Sequence, residues 1–404
     1  MDNDTQRLKI ALLTALDAQD RRSWSGTFYS IAQALQKYCG DVTYIGPLDA
    51  AHEMFFGRIA HVASHFLLGK RFLFRHSHAV SMRYARVAAE RLAAQPFDVV
   101  VALSGATEIA FLKTTLPIVL VEDANFPLLR GYHQHFSALL ECSARQVNDI
   151  QARGIHNANL LLYATSWAAK AAIEYYEADP RKVRVIPFGA NLEHAPAREA
   201  VLARQRGARC DLLFVGVNWE RKGGDIAFET LCALEASGIE ASLTVCGCTP
   251  PRRIRHPRLT VIPFLDKNDP EQYKRLEALY LSSTFLLLPT RNECFGVALC
   301  EANAFGLPVV TTHTGGVPEV VRNGENGFTL PYTARGKDYA KTIARIYQDE
   351  ELYLHMIRQS RAAFEERLNW NCWGLATRDA LLQMLQLKEE AQSLEPRTLS
   401  HKSS

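Results

Sequence analysis

Two carboxylates eight residues apart, Glu293 and Glu301, stand in a strand, loop and helix pattern over residues 284–308. Residues 284–289 are apolar enough for a strand, the next few are polar, and Gly296 opens the helix. At such a helix start the N–H groups of Phe295, Gly296 and Val297 lack intrahelical acceptors and point toward any anion held there. Glu301, about one and a half turns in, presents a second carboxylate beside the same anion. A nucleotide sugar suits that layout, with its diphosphate at the helix end, sugar hydroxyls on one carboxylate and ribose hydroxyls on the other. The same residues also fit a plainer pattern, in which Glu293 caps the helix and Glu301 is a solvated helix residue.

Cations and glycines stand at other strand ends. Arg221 and Lys222 follow the apolar run 211–216, where fixed positive charge can stabilise a departing diphosphate, although exposed basic residues are usually only solvated. Gly315 and Gly316 follow the run 308–312, and Gly26 follows 8–16; each lets backbone approach a ligand, and each is equally compatible with a tight turn. Asp123, with Glu122 beside it, closes the run 117–121, where it faces a strand-end cleft, caps the next segment or binds Arg130.

The elements that must position these residues alternate between strand and helix. Short apolar runs at 8–16, 42–45, 97–103, 117–121, 160–164 and 183–187 are separated by helical patterns. The alternation restarts at 211–216, 241–247, 259–264, 284–289, 308–312 and 327–330. Strand-helix alternation implies parallel sheets, hence an α/β chain of two doubly wound Rossmann-like domains facing a cleft. The expected boundaries are 1–190 for the first domain, 191–370 for the second, 371–392 for a closing helix and 393–404 for a disordered polar tail.

A chain of 404 residues with a net charge of only +3 offers no compositional case for a nucleic-acid binder. Nine scattered cysteines and no secretory pattern fit a reducing, cytoplasmic setting. Cys246 and Cys248 fit a buried strand better than a metal site, and the one Asp-x-Asp sequence, Asp2-Asn3-Asp4, lies at the chain start, so neither metal nor cofactor is expected. No apolar run reaches the roughly 20 residues that cross a bilayer. Residues 52–91 hold seven Lys or Arg, two Glu, five His and many aromatics. Core helices with cationic rims are the commoner source of that pattern; a peripheral face for the inner side of a membrane, or for an acidic acceptor, is the other.

Taken together, Arg221-Lys222-Gly223, the stretch from Glu293 to Ala302, Gly-Leu-Pro-Val-Val at 306–310 and Gly-Gly-Val-Pro-Glu at 315–319 resemble the family-four retaining glycosyltransferases of GT-B fold. The carboxylate pair matches their E-x7-E motif. The likeness extends to residues 185–191 and to the region of Trp370, whereas the first half resembles the family only in layout. The resemblance implies hexosyl transfer from a nucleotide-sugar donor to a glycan, lipid or small-molecule hydroxyl, without metal, with a C-terminal helix crossing back to the first domain. It implies that Glu293 contacts the donor sugar, Phe295 and Gly296 lend amides, Glu301 holds the ribose, and Arg221 and Lys222 clamp the diphosphate. It also places Gly26 against the donor and a polar residue, here Asp123, near the sugar. Many members carry an Arg where this chain has Val217, so Arg221 is expected to supply that cation. An epimerase or phosphorylase on the same fold, or a non-catalytic nucleotide-sugar binder, remain alternatives.

Overall fold

The computed structural model describes residues 7–394. The first sheet is built from β1 (Leu8–Leu13), β2 (Gly40–Tyr44), β3 (Val99–Leu103), β4 (Ile118–Glu122), β5 (Leu160–Tyr163) and β6 (Val183–Val185). The second is built from β7 (Cys210–Val215), β8 (Ala241–Cys246), β9 (Leu259–Ile262), β10 (Phe285–Leu288), β11 (Val309–Thr312) and β12 (Gly327–Leu330). All pairings are parallel, in the orders β2-β1-β3-β4-β5-β6 and β12-β11-β10-β7-β8-β9. Central strands such as β3, β4 and β10 are buried at every position, because helices cover both faces. Every apolar run expected to be a strand is one. Several end earlier than expected, 8–16 stopping at Leu13 for instance, because apolar residues continue into the strand-end loop.

Each order reverses once, between β1 and β3 in the first sheet and between β7 and β10 in the second. Open parallel sheets bind ligands outside the carboxyl ends of the strands that flank such a reversal. The loop after β7 carries Arg221 and Lys222, and the loop after β10 carries Glu293. Topology alone therefore brings the basic pair to the carboxylate.

Helix α1 (Thr27–Tyr38) follows the β1 loop, and the long C-terminal helix Trp370–Leu394 returns to pack on it. Gly374 makes that approach possible, since a Cβ there would lie 2.4 Å from the Tyr38 ring. Tyr38 donates to Asn371 at 2.6 Å, and Lys388 donates to the Thr115 carbonyl at 2.7 Å. Helix continues to Leu394, past the expected start of the tail at 393; residues 395–404, like Asp2-Asn3-Asp4, lie outside the described residues.

Residues 52–91 form α2 (Ala51–Leu68), a short turn, and α3 (His78–Leu92). Helix α3 packs as expected, burying Val80, Tyr84, Val87 and Leu92. Helix α2 does not, and there the expectation of a core helix fails. Its one buried residue is Ser64, and apart from Met54, which packs on the first-domain core, its large apolar side chains point outward. Gly57 and His61 also face inward; a Cβ at Gly57 would sit 2.4 Å from Phe74, and His61 Nδ1 lies 3.0 Å from the Phe72 carbonyl.

Candidate active site at the interdomain cleft

The loop after β7 presses against the end of β10 because glycines leave it room. Gly223, at φ +78°, has the Pro289 carbonyl oxygen 1.9 Å from where a Cβ would be. That contact delivers Lys222 to Glu293, and the two form an ion pair with each side chain 11% exposed. Arg221 reaches the carboxylate loop itself. Its guanidinium donates to the Asn292 carbonyl at 3.0 Å and its own carbonyl accepts from Arg291 N–H at 2.7 Å, so it holds the carboxylate loop. Val217, where many resembling enzymes carry Arg, is exposed.

Gly296 at φ +95° starts the helix Val297–Ala304 with no side-chain cap, which removes the capping alternative for Glu293. The N–H groups of Phe295 and Gly296 find no acceptor among the described residues. The Phe295 ring is core, edge-on to Phe188 at 5.4 Å. Glu301 is buried, which excludes the solvated alternative. It accepts from Tyr280 at 2.9 Å and pairs with Lys267. Each carboxylate of the pair thus holds its own cation, Lys222 on Glu293 and Lys267 on Glu301.

From the first domain, half-buried Asp123 faces the same place. Burial, and next the charge of Glu293, push its carboxyl up to about 7, while the Trp24 side chain pulls the other way. Glu122 is not an alternative to it: its carboxyl lies inside the domain, accepts from Gln151 at 2.8 Å and is raised by burial to about 8. Trp24, Ser25 and Gly26 have consecutive positive φ values of 47°, 58° and 89°, and Asn191 fixes that turn by donating to the Ser25 carbonyl at 2.9 Å. Gly26 and Lys267 both line a cavity of about 450 Å³ that also touches Arg21, Tyr29, Asn191 and Trp370. This cavity adjoins the Lys267–Glu301 pair on its Lys267 side. Gly315 and Gly316 need no side chain for a reason other than ligand approach: a Cβ would sit 2.0 Å from the Glu293 carbonyl oxygen and 2.2 Å from that of Cys294.

Among the contacts that join the domains across the cleft are two clasps. Tyr132 accepts the N–H of Glu293 at 2.8 Å, shares a 2.8 Å bond with Thr314, and takes the Asn292 amide on its carbonyl. Glu319 receives Ser166 N–H at 2.8 Å, Ser166 Oγ at 2.9 Å and Trp167 N–H at 3.0 Å, at the start of the helix Ser166–Tyr176. Tyr132, Lys267 and Tyr280 were not legible as site residues. Lys267 follows β9 and could have been found by the strand-end rule that picks out Asp123; Tyr132 and Tyr280 carry no local signal.

Residues 206–363 match the family model described as glycosyl transferases group 1. The likeness to the group 1 glycosyl transferases thus lies in the second domain. A D-inositol 3-phosphate glycosyltransferase of Streptomyces bingchenggensis is 30% identical over 262 residues, covering 61% of this chain and 57% of that protein. The chain thus aligns with less than two thirds of the length of such curated relatives. The fold matches the sucrose-phosphate synthase (tll1590) structure from Thermosynechococcus elongatus at TM-score 0.66 and 17% identity, over 96% of this chain and 100% of that one. It also matches Anabaena Alr3699/HepE, determined in complex with UDP and glucose, at TM-score 0.56 and 14% identity over 96% and 100%. These likenesses are of fold: the two facing sheets described above have the GT-B architecture.

Proposed function

We propose that this protein transfers a hexose from a nucleotide-sugar donor to an acceptor hydroxyl with retention of anomeric configuration and without a metal. The observation that carries the proposal is the Lys222–Glu293 ion pair at the reversal point of the second sheet, beside helix-end amides that meet no acceptor among the described residues. An incoming diphosphate takes over Lys222 and the N–H groups of Phe295 and Gly296, which frees Glu293 to accept from sugar hydroxyls. Lys267 is similarly released from Glu301 when ribose hydroxyls arrive. As the bond from the sugar to the diphosphate oxygen breaks, fixed cationic and amide donors stabilise the leaving group. Asp123 and Glu293 stabilise the positive charge on the sugar. The acceptor oxygen then bonds to the sugar on the face the diphosphate leaves, and its proton passes to the departing phosphate oxygen.

The acceptor binds on the first domain, and residues 52–91 hold the protein peripherally at the inner face of a membrane. Donor identity is testable by thermal shift with UDP-, GDP- and ADP-glucose, since a ligand that binds only the folded state raises the melting temperature. One of these is expected to stabilise the protein and to release its nucleoside diphosphate only when an acceptor is present. Acceptor-free conversion to an isomeric nucleotide sugar would make the protein an epimerase. Stabilisation without turnover under any condition would make it a non-catalytic binder.

A further inference from the structure

Helix α2 is amphipathic with its faces reversed. Phe55, Ile59, Val62 and Phe66 recur at helical spacing along one outward stripe, with Phe56 and Leu67 beside it and Leu68 at the helix end, on the line of Ser64. These seven side chains are between 53% and 87% exposed. A helix that turned its apolar stripe to the core would keep such groups out of water, and here the small or polar Gly57, His61 and Ser64 occupy the inward face instead. Contiguous exposed apolar surface of this kind marks a place where something else supplies the covering.

The charges around the stripe identify the covering. Arg58 lies on the helix, and Lys70, Arg71 and Arg75 follow it immediately; Arg58, Lys70 and Arg75 are exposed, with Glu53 the one acidic residue in the segment 51–75. Aromatic and aliphatic groups flanked by cations suit a bilayer surface that carries negative headgroups, into which the stripe sinks while the cations stay at headgroup level. No helix among the described residues is long and apolar enough to cross a membrane, so α2 would lie on the surface. Its exit is tied to the cleft. Arg71 donates its N–H to the Ala138 carbonyl at 2.8 Å and its guanidinium to the Gln134 carbonyl at 2.7 Å, and it accepts from Leu140 N–H at 3.0 Å. That loop begins with Tyr132, the residue bonded to Glu293.

We infer that α2 docks this protein on an anionic bilayer surface, apolar stripe down, with the cleft loop 132–140 held at the interface. The inference rests on the peripheral-membrane part of the proposed function and is independent of the transfer chemistry. Co-sedimentation of the full chain with vesicles of phosphatidylcholine, with and without phosphatidylglycerol, tests it. Binding should require phosphatidylglycerol and weaken as salt is raised. The triple variant Phe55→Ser, Phe66→Ser, Leu67→Ser should lose binding at least tenfold, and Arg58→Glu with Lys70→Glu should abolish the dependence on phosphatidylglycerol. Both should keep the thermal shift given by the stabilising nucleotide sugar, which reports an intact second domain. A separate Phe66→Trp variant, with the rest of the chain unchanged, should show a blue-shifted emission quenched by brominated lipid. Wild-type protein left in the supernatant with both vesicle types would overturn the inference, as would an α2-mediated dimer dispersed by the triple variant without vesicle binding. Vesicle binding with no turnover of any donor would instead defeat only the transfer chemistry.

Discussion

The phenol of Tyr132, in the first domain, accepts the main-chain N–H of Glu293, in the second, at 2.8 Å. The candidate catalytic carboxylate is therefore positioned from across the cleft, and its loop is complete only while the domains are closed.

Tyr132→Phe keeps the ring but removes the oxygen that serves Glu293 and Thr314. We expect kcat to fall about tenfold, the equivalent of roughly 1.4 kcal/mol, with the affinity for nucleoside diphosphate near that of wild type. Unchanged kcat would show that the Glu293 loop holds itself.

Lys222→Ala removes the cation that meets more charge in the transition state than in the bound donor. A loss of about 10²-fold in kcat is expected, with a much smaller change in KM. Chelator added to wild type should leave the rate unaltered. Activity that vanishes with chelator and returns with magnesium or manganese would refute metal-free transfer.

Asp123 titrates near neutrality, since burial and the charge of Glu293 hold its carboxyl up at about 7. Its ionised form, the one able to stabilise a cationic sugar, accumulates as pH rises through that value. The pH profile of kcat/KM should climb across neutrality in wild type, and Asp123→Asn should lower the rate and remove that limb. Transfer by the Asn variant within about twofold of wild type would take Asp123 out of the chemistry, since that margin lies well inside the ~10-fold that 1.36 kcal/mol represents.

Glu108 and Glu122 are buried in the first domain, and burial raises them to about 7 and about 8 from an ordinary 4.5. Between the unfolded and folded values the folded chain holds protons that the unfolded chain has released. Stability is therefore greatest below the unfolded value and falls as pH rises through the folded ones, by at most about 1.4 kcal/mol per pH unit for each group. Denaturant melts of Glu122→Gln from about pH 5 to about pH 9 should show a shallower decline than wild type. Identical slopes would place the pH dependence elsewhere.

The sheets were legible because fully buried parallel strands appear as uninterrupted apolar runs, as in Val99–Leu103 and Phe285–Leu288. Lys222, Glu293 and Glu301 were legible because they lie at strand ends or on the helix that follows. Their pairing was not, since nothing local to residue 267 or 280 reveals that Glu301 is already occupied by Lys267 and Tyr280. Gly315 and Gly316 show the same limit: an unfilled Cβ position looks alike in sequence whether a ligand or, as here, the 293–294 backbone fills the space. Helix α2 misled for a simpler reason, because periodicity gives the width of an apolar stripe but not the direction it faces.

Glu319 completes in trans the first turn of a helix that belongs to the other domain, the third N–H of which is met locally by Thr165. Parting the domains would strip Ser166 and Trp167 of their acceptor, a loss comparable to deleting an N-cap, about 0.5–2 kcal/mol. That energy is one part of what holds the cleft shut, since Tyr132 bonds Glu293 and Asn292 across it as well. The Glu319 contact also gives cleft opening its own reporter. Solvent hydrogen should exchange into the Ser166 and Trp167 amides at a rate set by how often the cleft gapes, and a tightly bound nucleotide sugar should slow both together.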